Sequence, residues 1–437
     1  MSRSRLAAAL LVVLTVGACE KAAPKRPSVI LVSIDTLRAD HMGLYGYERD
    51  TTPFLDRWAK DALVFERAFT AAPWTLIAHM TMLTGLYPEQ HGVQEGDVAL
   101  NEGLPILAER LQRAGYHTIG LYHPGWIHER YGFARGFDVF RGHGDAIEAG
   151  EHLAEEVERL DRDQPFFLFL HLFDVHSGAA RHEGFTIYTS PAPFHRYFLG
   201  DDVHLEDLPY EELRTARDGI PSDARDVLVK LYDGGIRHVD SRLEAWFGEL
   251  EKKGLLDDTL VIVTADHGES LWQRGRFAGH GGVWQEGVHV PLIVRPPRDG
   301  DSPFAGRRVS EPAHLIDIVP TVLDAVGLPP DERLRGSSLL QALPARRALA
   351  GFHPPVGYVV DWPRKIMTTQ RRFVEVDLDR DPGELQRADV TRADYEALRT
   401  ALPDLSLLAE PRFIGELPED EKQALRDLGY AGEVDGE

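Results

Sequence analysis

The chain has 437 residues, 43% hydrophobic and 27% charged, enough apolar material for a large core with a smaller unit beside it and without the bias of a disordered chain. Its 70 Asp and Glu outnumber its 48 Lys and Arg to leave a net charge of -22, which argues against nucleic acid or an anionic lipid surface as the main partner. The one cysteine, Cys19, excludes an internal disulfide and any thiol chemistry at a site distant from it.

In chain order, residues 1–18 carry Arg3 and Arg5, an apolar run from Leu6 to Val16, and the small residues Gly17 and Ala18. That is the layout of a secretory signal, and it is too short to span a bilayer. Val16-Gly17-Ala18-Cys19 resembles a bacterial lipoprotein cleavage site. The resemblance implies lipidation of Cys19, a tether over 19–27, and a chain anchored in the cell envelope, on an outer membrane or a periplasmic face.

Residues 28–34 are a near-continuous apolar, β-branched run, which predicts a central parallel strand with Asp35 at its C-terminal edge, where open α/β sheets bind ligands. The pattern recurs at 115–122, 165–171 and 259–264, the last leading into Asp266 and His267. Helical stretches at 50–60, 104–114, 154–161 and 223–253 alternate with these runs and predict an α/β fold, a mostly parallel sheet wrapped by helices. Residues 178–223 lack a strong period and read as an insertion or lid near the site, or as a plain surface excursion. From 346 onward, shorter strands with charged turns such as 371–377, and a helix over 419–428, predict a smaller α+β unit. The main domain is therefore assigned to 28–345 and the C-terminal subdomain to 346–437.

The segment PWTLIAHMTMLTGLYPEQHG over 73–92 puts Thr75 at the start of a helix-like run with His79 one turn on, where a hydroxyl nucleophile would sit. Asp266-His267-Gly268-Glu269 offers a carboxylate and an imidazole at a strand end, with a glycine to let the backbone turn toward one cation. A DHG triplet is weak alone and gains weight from Asp35 and Thr75. Arg38, Asp40 and His41 read as loop caps, Arg295 as solvated surface and His289 as packing.

Eight blocks occur in order: VILVSIDTLRADHMGLYGY (29–47), LTGLYPEQHG (83–92), GYHTIG (115–120), RGFD (135–138), LFDVH (172–176), DDTLVIVTADHGE (257–269), VPLIVRPP (290–297) and IDIVPTVLDAVGLP (316–329). Together they resemble the sulfatase family of the alkaline-phosphatase-like superfamily over nearly the whole mature length. The resemblance implies a sheet sandwiched by helices and metal-dependent hydrolysis of sulfuric or phosphoric (di)esters of a small molecule, glycan or lipid. It implies one divalent ion, Ca²⁺, Mn²⁺ or Zn²⁺, held by Asp35, Asp266, His267 and the nucleophile.

Counting back from Leu83-Thr84-Gly85, the nucleophile position is Thr75, where the family carries a Cys or Ser that matures to formylglycine. The extra methyl of threonine blocks that aldehyde, so no formylglycine is expected; superfamily phosphodiesterases and phosphotransferases place a metal-bound threonine there. Ile77-Ala78 replaces the usual Pro-Ser, and His79 the usual arginine. Thr36 stands where many sulfatases have a second Asp, which either moves the metal preference from Ca²⁺ toward Mn²⁺ or Zn²⁺ or reflects simple packing. The resemblance gives site roles to His176, His280 and His79, and to His123 in place of a family lysine, with Asp174 structural. Two other readings stay open: a non-catalytic lipoprotein that keeps the fold, and an enzyme that transfers a head group to lipid or glycan.

Overall fold

The computed structural model describes residues 26–178, 187–200, 203, 205, 222–273, 279–280, 282–298, 306–369 and 372–428. The signal, Cys19 and nearly all of the tether lie outside the described residues, as does most of the 178–223 insertion. Among the described residues, no helix is long and apolar enough to cross a membrane.

Eight strands make the main sheet: β1 (Ser28–Ile34), β2 (Leu63–Phe65), β3 (His117–Tyr122), β4 (Val139–Gly142), β5 (Phe166–Leu172), β6 (Thr259–Thr264), β7 (Leu292–Arg295) and β8 (Arg308–Val309). Their order is β8-β2-β7-β6-β1-β5-β3-β4, and only β7 runs antiparallel to its neighbours. Every residue of β1, β5 and β6 is buried, which is why these strands read as near-continuous apolar runs: both faces of the sheet are covered. Ser33 on β1 stands opposite His171 on β5 and Thr264 on β6. That register brings Asp35 and Asp266, each two residues further on, to the same carboxyl edge.

Five helices frame the sheet edge and the faces behind it: α1 (Pro53–Trp58), α2 (Thr75–Thr84), α3 (Leu107–Arg113), α4 (Ala146–Arg159) and α5 (Ser222–Lys252). α1 and α3 are shorter than the predicted stretches, α1 because Pro53 enters helical geometry only at the first turn. α4 begins well before the predicted 154, with the Asp145 side chain accepting from the N–H groups of Ile147 and Glu148. Gly150 had masked its helical period. A Cβ there would lie 2.5 Å from Trp246 Nε1 on α5, so the glycine is what lets the two helices meet.

α2 is buried along all ten residues and has no polar face, the pattern of a helix inside the core rather than on its surface. Its Leu76, Ile77, Met80 and Leu83 each contribute about 1.5–3 kcal/mol by burial. The helix stops at Gly85, in the left-handed region at φ 72°, whose N–H bonds Thr81 O.

The C-terminal unit is an antiparallel meander of β9 (Ala348–His353), β10 (Val356–Asp361), β11 (Arg364–Thr368), β12 (Phe373–Asp377) and β13 (Ala388–Val390), followed by α6 (Arg392–Arg399). Its side chains alternate with period two. Tyr358, Val360, Met367, Val374 and Val376 pack with Phe69, Val283 and Val288 of the main domain. Val359 and Ile366 face the other way, toward Tyr395 and Leu398 of α6.

One surface assignment is corrected. Arg295 is 2% exposed, because β7 is an interior strand of the sheet, and its guanidinium lies over the Trp58 ring at 5.4 Å.

Candidate active site

Three segments deliver the polar groups at the sheet edge: the end of β1 gives Asp35, the end of β6 gives Asp266 and His267, and the start of α2 gives Thr75. Thr75 Oγ1 lies 3.4 Å from Asp35 Oδ2 and 3.3 Å from His267 Nε2. One ligand atom from each of Asp35, Asp266 and His267 falls within 4.8 Å of the others, and all three residues are fully buried.

Hydrogen bonds fix which atoms of this cluster face inward. Asp266 Oδ1 accepts from the backbone N–H of His267 at 2.8 Å and of Thr36 at 3.3 Å, and Oδ2 is buried with no hydrogen-bond partner. His267 Nδ1 is 3.0 Å from Gly268 O, so it carries the proton and leaves the Nε2 lone pair facing Thr75 and the carboxylates. Two carboxylates, one imidazole lone pair and one hydroxyl form a donor set of the right charge and type for a divalent cation, and the orphaned Asp266 oxygen fits that use.

A second set of three, His79, His171 and Asp266, also converges within 4.8 Å. Its hydrogen bonds point to a different role. His79 Nδ1 is 2.9 Å from Thr75 O and therefore holds a proton, and Nε2 is 2.9 Å from Ser33 Oγ. His171 Nε2 is 3.2 Å from Asp35 Oδ2, and His79 Nδ1 is 3.5 Å from Asp266 Oδ2. His171 orients the Asp35 carboxylate and His79 the first turn of α2, with both His79 nitrogens committed to Thr75 O and Ser33 Oγ. Burial holds both rings below the usual histidine pKa, His171 well below.

His176 and His280 border the cluster through ring contacts. His280, half-buried, has its ring 4.7 Å from that of His267 and 5.0 Å from that of His176. His176 and His123 each stack on Phe173 at 4.2 Å. Burial lowers the pKa of His176 well below its ordinary value and that of His123 to about 4. Asp174 accepts from Ala146 N at the start of α4, and Thr36 Oγ1 donates to Asp35 O at 2.7 Å.

His171 and Glu269 were not singled out from the sequence. The signal for His171 was a lone polar residue inside the apolar run 166–172. Glu269 is fully buried, burial pushes its carboxyl up to about 7, and Oε1 accepts from Ser177 Oγ at 3.5 Å. Arg38, read as a loop cap, makes no capping contact. It is 4% exposed, pairs with Asp40 through Nε and Nη2, and donates from Nη1 to Glu269 O at 3.0 Å, so it ties the loop after β1 to the one after β6. His41 pairs with buried Asp233 on α5 at 2.7 Å, and His289 with Glu66 O at 2.9 Å.

The profile of the family described as Sulfatase matches residues 27–328. An arylsulfatase of Clostridium perfringens is 25% identical over 82% of this chain and 89% of its own length. An N-acetylglucosamine-6-O-sulfatase of Bacteroides thetaiotaomicron is 24% identical over 76% of this chain and 74% of its own length. The crystal structure of a phosphonate monoester hydrolase of Agrobacterium radiobacter superposes with a TM-score of 0.68 at 22% identity, covering 86% of this chain and 94% of that one.

Proposed function

The chain belongs to the sulfatase family, and from that premise we propose that this ester hydrolase cleaves sulfuric or phosphoric (di)esters with Thr75 as its nucleophile. The observation that carries the reading is the Thr75 hydroxyl, 3.3–3.4 Å from His267 Nε2 and Asp35 Oδ2 at the first residue of a ten-residue helix. A divalent cation on Asp35, Asp266 and His267 would lower the pKa of the Thr75 hydroxyl and offset charge on the ester.

Thr75 Oγ1 attacks sulfur or phosphorus in line, forming an O–S or O–P bond as the bond to the leaving oxygen breaks. The N-terminus of α2, which begins at Thr75, would add its dipole and first N–H groups to hold the equatorial oxygens of the ester. His280 offsets charge developing on those oxygens, and His176, whose pKa the negative charge of the bound ester raises, gives the leaving oxygen its proton. Water then cleaves the Thr75 ester and restores the hydroxyl. His79 acts from behind, fixing the Thr75 carbonyl against Ser33 of β1.

The donor set suits Mn²⁺ or Zn²⁺ better than Ca²⁺, because it holds an imidazole and few oxygens. The sugar sulfatase among the relatives favours a glycan ester as substrate, whereas threonine at the nucleophile position favours phosphorus over sulfur. Assaying wild type and Thr75→Ala side by side on aryl sulfate, aryl phosphodiester and aryl phosphonate tests both points. Turnover of at least one substrate that disappears in the variant is expected, and near wild-type turnover by Thr75→Ala would end the assignment. We further propose attachment to the cell envelope through Cys19. Cys19→Ala should move the protein from the membrane to the soluble fraction, and unchanged membrane association would exclude the anchor.

A further inference from the structure

We propose that the buried Lys365–Glu384 pair of the C-terminal sheet is a positioning device for the active site, holding the turn that clamps the segments carrying Thr75 and His267. The inference rests on the reading of Thr75 as nucleophile and His267 as metal ligand.

Both members of the pair are 0% exposed, and their charged atoms lie 2.7 Å apart. Glu384 sits in the left-handed region at φ 53°, a strained conformation for a non-glycine residue that persists only where the surroundings enforce it. What enforces it here is a contact across the domain boundary. Glu384 Oε2 accepts from the backbone N–H of Gln285 at 2.9 Å, and Lys365 Nζ donates to Gln285 Oε1 at 3.3 Å. Two residues of the C-terminal unit thus hold one residue of the main domain by its backbone and by its side chain.

Gln285 opens the helical turn Gln285–Val288, and that turn grips both catalytic segments. Gly287 O accepts from Gly268 N at 2.9 Å, next to His267, and Val288 O accepts from Thr70 N at 3.0 Å, five residues before Thr75. The fit at Gly268 leaves no slack: a Cβ there would stand 2.1 Å from Glu286 O. Further contacts from the same sheet hold the approach to α2, Tyr358 OH to Thr70 O at 2.6 Å and Phe352 N to Ala71 O at 2.7 Å. Lys365 and Glu384 therefore act on Thr75 and His267 through the 285–288 turn without touching either.

Replacing one partner would strand a buried charge and unfold the sheet for an unrelated reason, so the test removes both charges together. In Lys365→Met with Glu384→Leu, the acceptor for Gln285 N is gone. Amide exchange in peptides covering 70–75 and 268–273 should rise about tenfold or more, while β1 and β6 keep their protection. kcat should fall about 10- to 100-fold with KM little changed. Lys365→Met with Glu384→Gln keeps the acceptor and should restore both readouts. Unchanged exchange at 70–75 and 268–273, a parallel rise in β1 and β6, or no rescue by glutamine would each overturn the proposal. Exchange does not depend on turnover, so a failure of the Thr75 assignment would appear in the Thr75→Ala assay and leave this result readable.

Discussion

Two pairs of histidines border the Asp35–Asp266–His267 cluster, and they are held in opposite ways. His79 and His171 are edge-on at 4.8 Å and hydrogen-bonded to Ser33, the Thr75 carbonyl and Asp35, groups supplied by β1 and α2. His176 and His280 meet each other, Phe173 and His267 through ring contacts, His176 bonds the carbonyl of its own neighbour Ser177, and His280 is half-buried. One residue type thus serves as scaffolding where β1 and α2 supply its partners, and stands ring against ring where it borders the metal-ligand cluster from the other side.

Removing the hydroxyl that both pairs surround should have the largest effect. Thr75→Ala is expected to cut kcat by roughly four orders of magnitude or more with the fold intact, read from steady-state kinetics and a thermal melt. Next come His176→Ala and His280→Ala, each expected to cost about 10²–10⁴ in kcat if these imidazoles meet the ester. The His176 loss should grow as the leaving group becomes more basic, and equal losses for good and poor leaving groups would remove its role as proton donor.

His79→Ala and His171→Ala should differ in kind. Each is expected to weaken divalent-ion affinity by about 10- to 100-fold in a metal titration and to lower the melting temperature. A variant that loses turnover but keeps metal affinity would break the contrast between the pairs. The smallest effect separates burial from chemistry. Burial lowers the pKa of His123 to about 4 and of His91 and His314 to about 3, from an ordinary 6.5. With folded values below unfolded ones, their contribution to stability is complete above pH 6.5 and is lost as pH falls toward 4 and then 3. Urea midpoints measured from pH 7.5 down to 3.5 should fall through that window, and His123→Phe should make the fall shallower.

The carboxyl edge of the sheet was legible because β1 and β6 are short, mostly apolar and β-branched, and lead into Asp35 and Asp266-His267; a charged residue at the end of such a run has little else to do. Thr75 was legible as a helix start. His171 was not, because inside an apolar strand a histidine looks the same whether it packs or bonds Asp35, and only the register against Ser33 tells the two apart. Arg38 and Arg295 failed for a related reason: sequence marks them as charged, and only tertiary contacts bury them. The 146–153 half of α4 was hidden by Gly150, whose purpose lies in the Trp246 ring of another helix. Lys365, Glu384 and Gln285 are so far apart in the chain that no local pattern could link them.

Thr36 has a practical consequence for anyone evolving this protein. Its backbone sits at φ 57°, a conformation that glycine adopts at no steric cost. Thr36→Gly would accordingly relieve about 1–2 kcal/mol of backbone strain, offset by the freer unfolded chain that glycine brings. That change would also delete the hydroxyl bonded to the Asp35 carbonyl and loosen the N–H aimed at Asp266. Stability and ion binding are thus both set at this one residue, and a screen scoring both traits is the way to tell which of them a substitution there has moved.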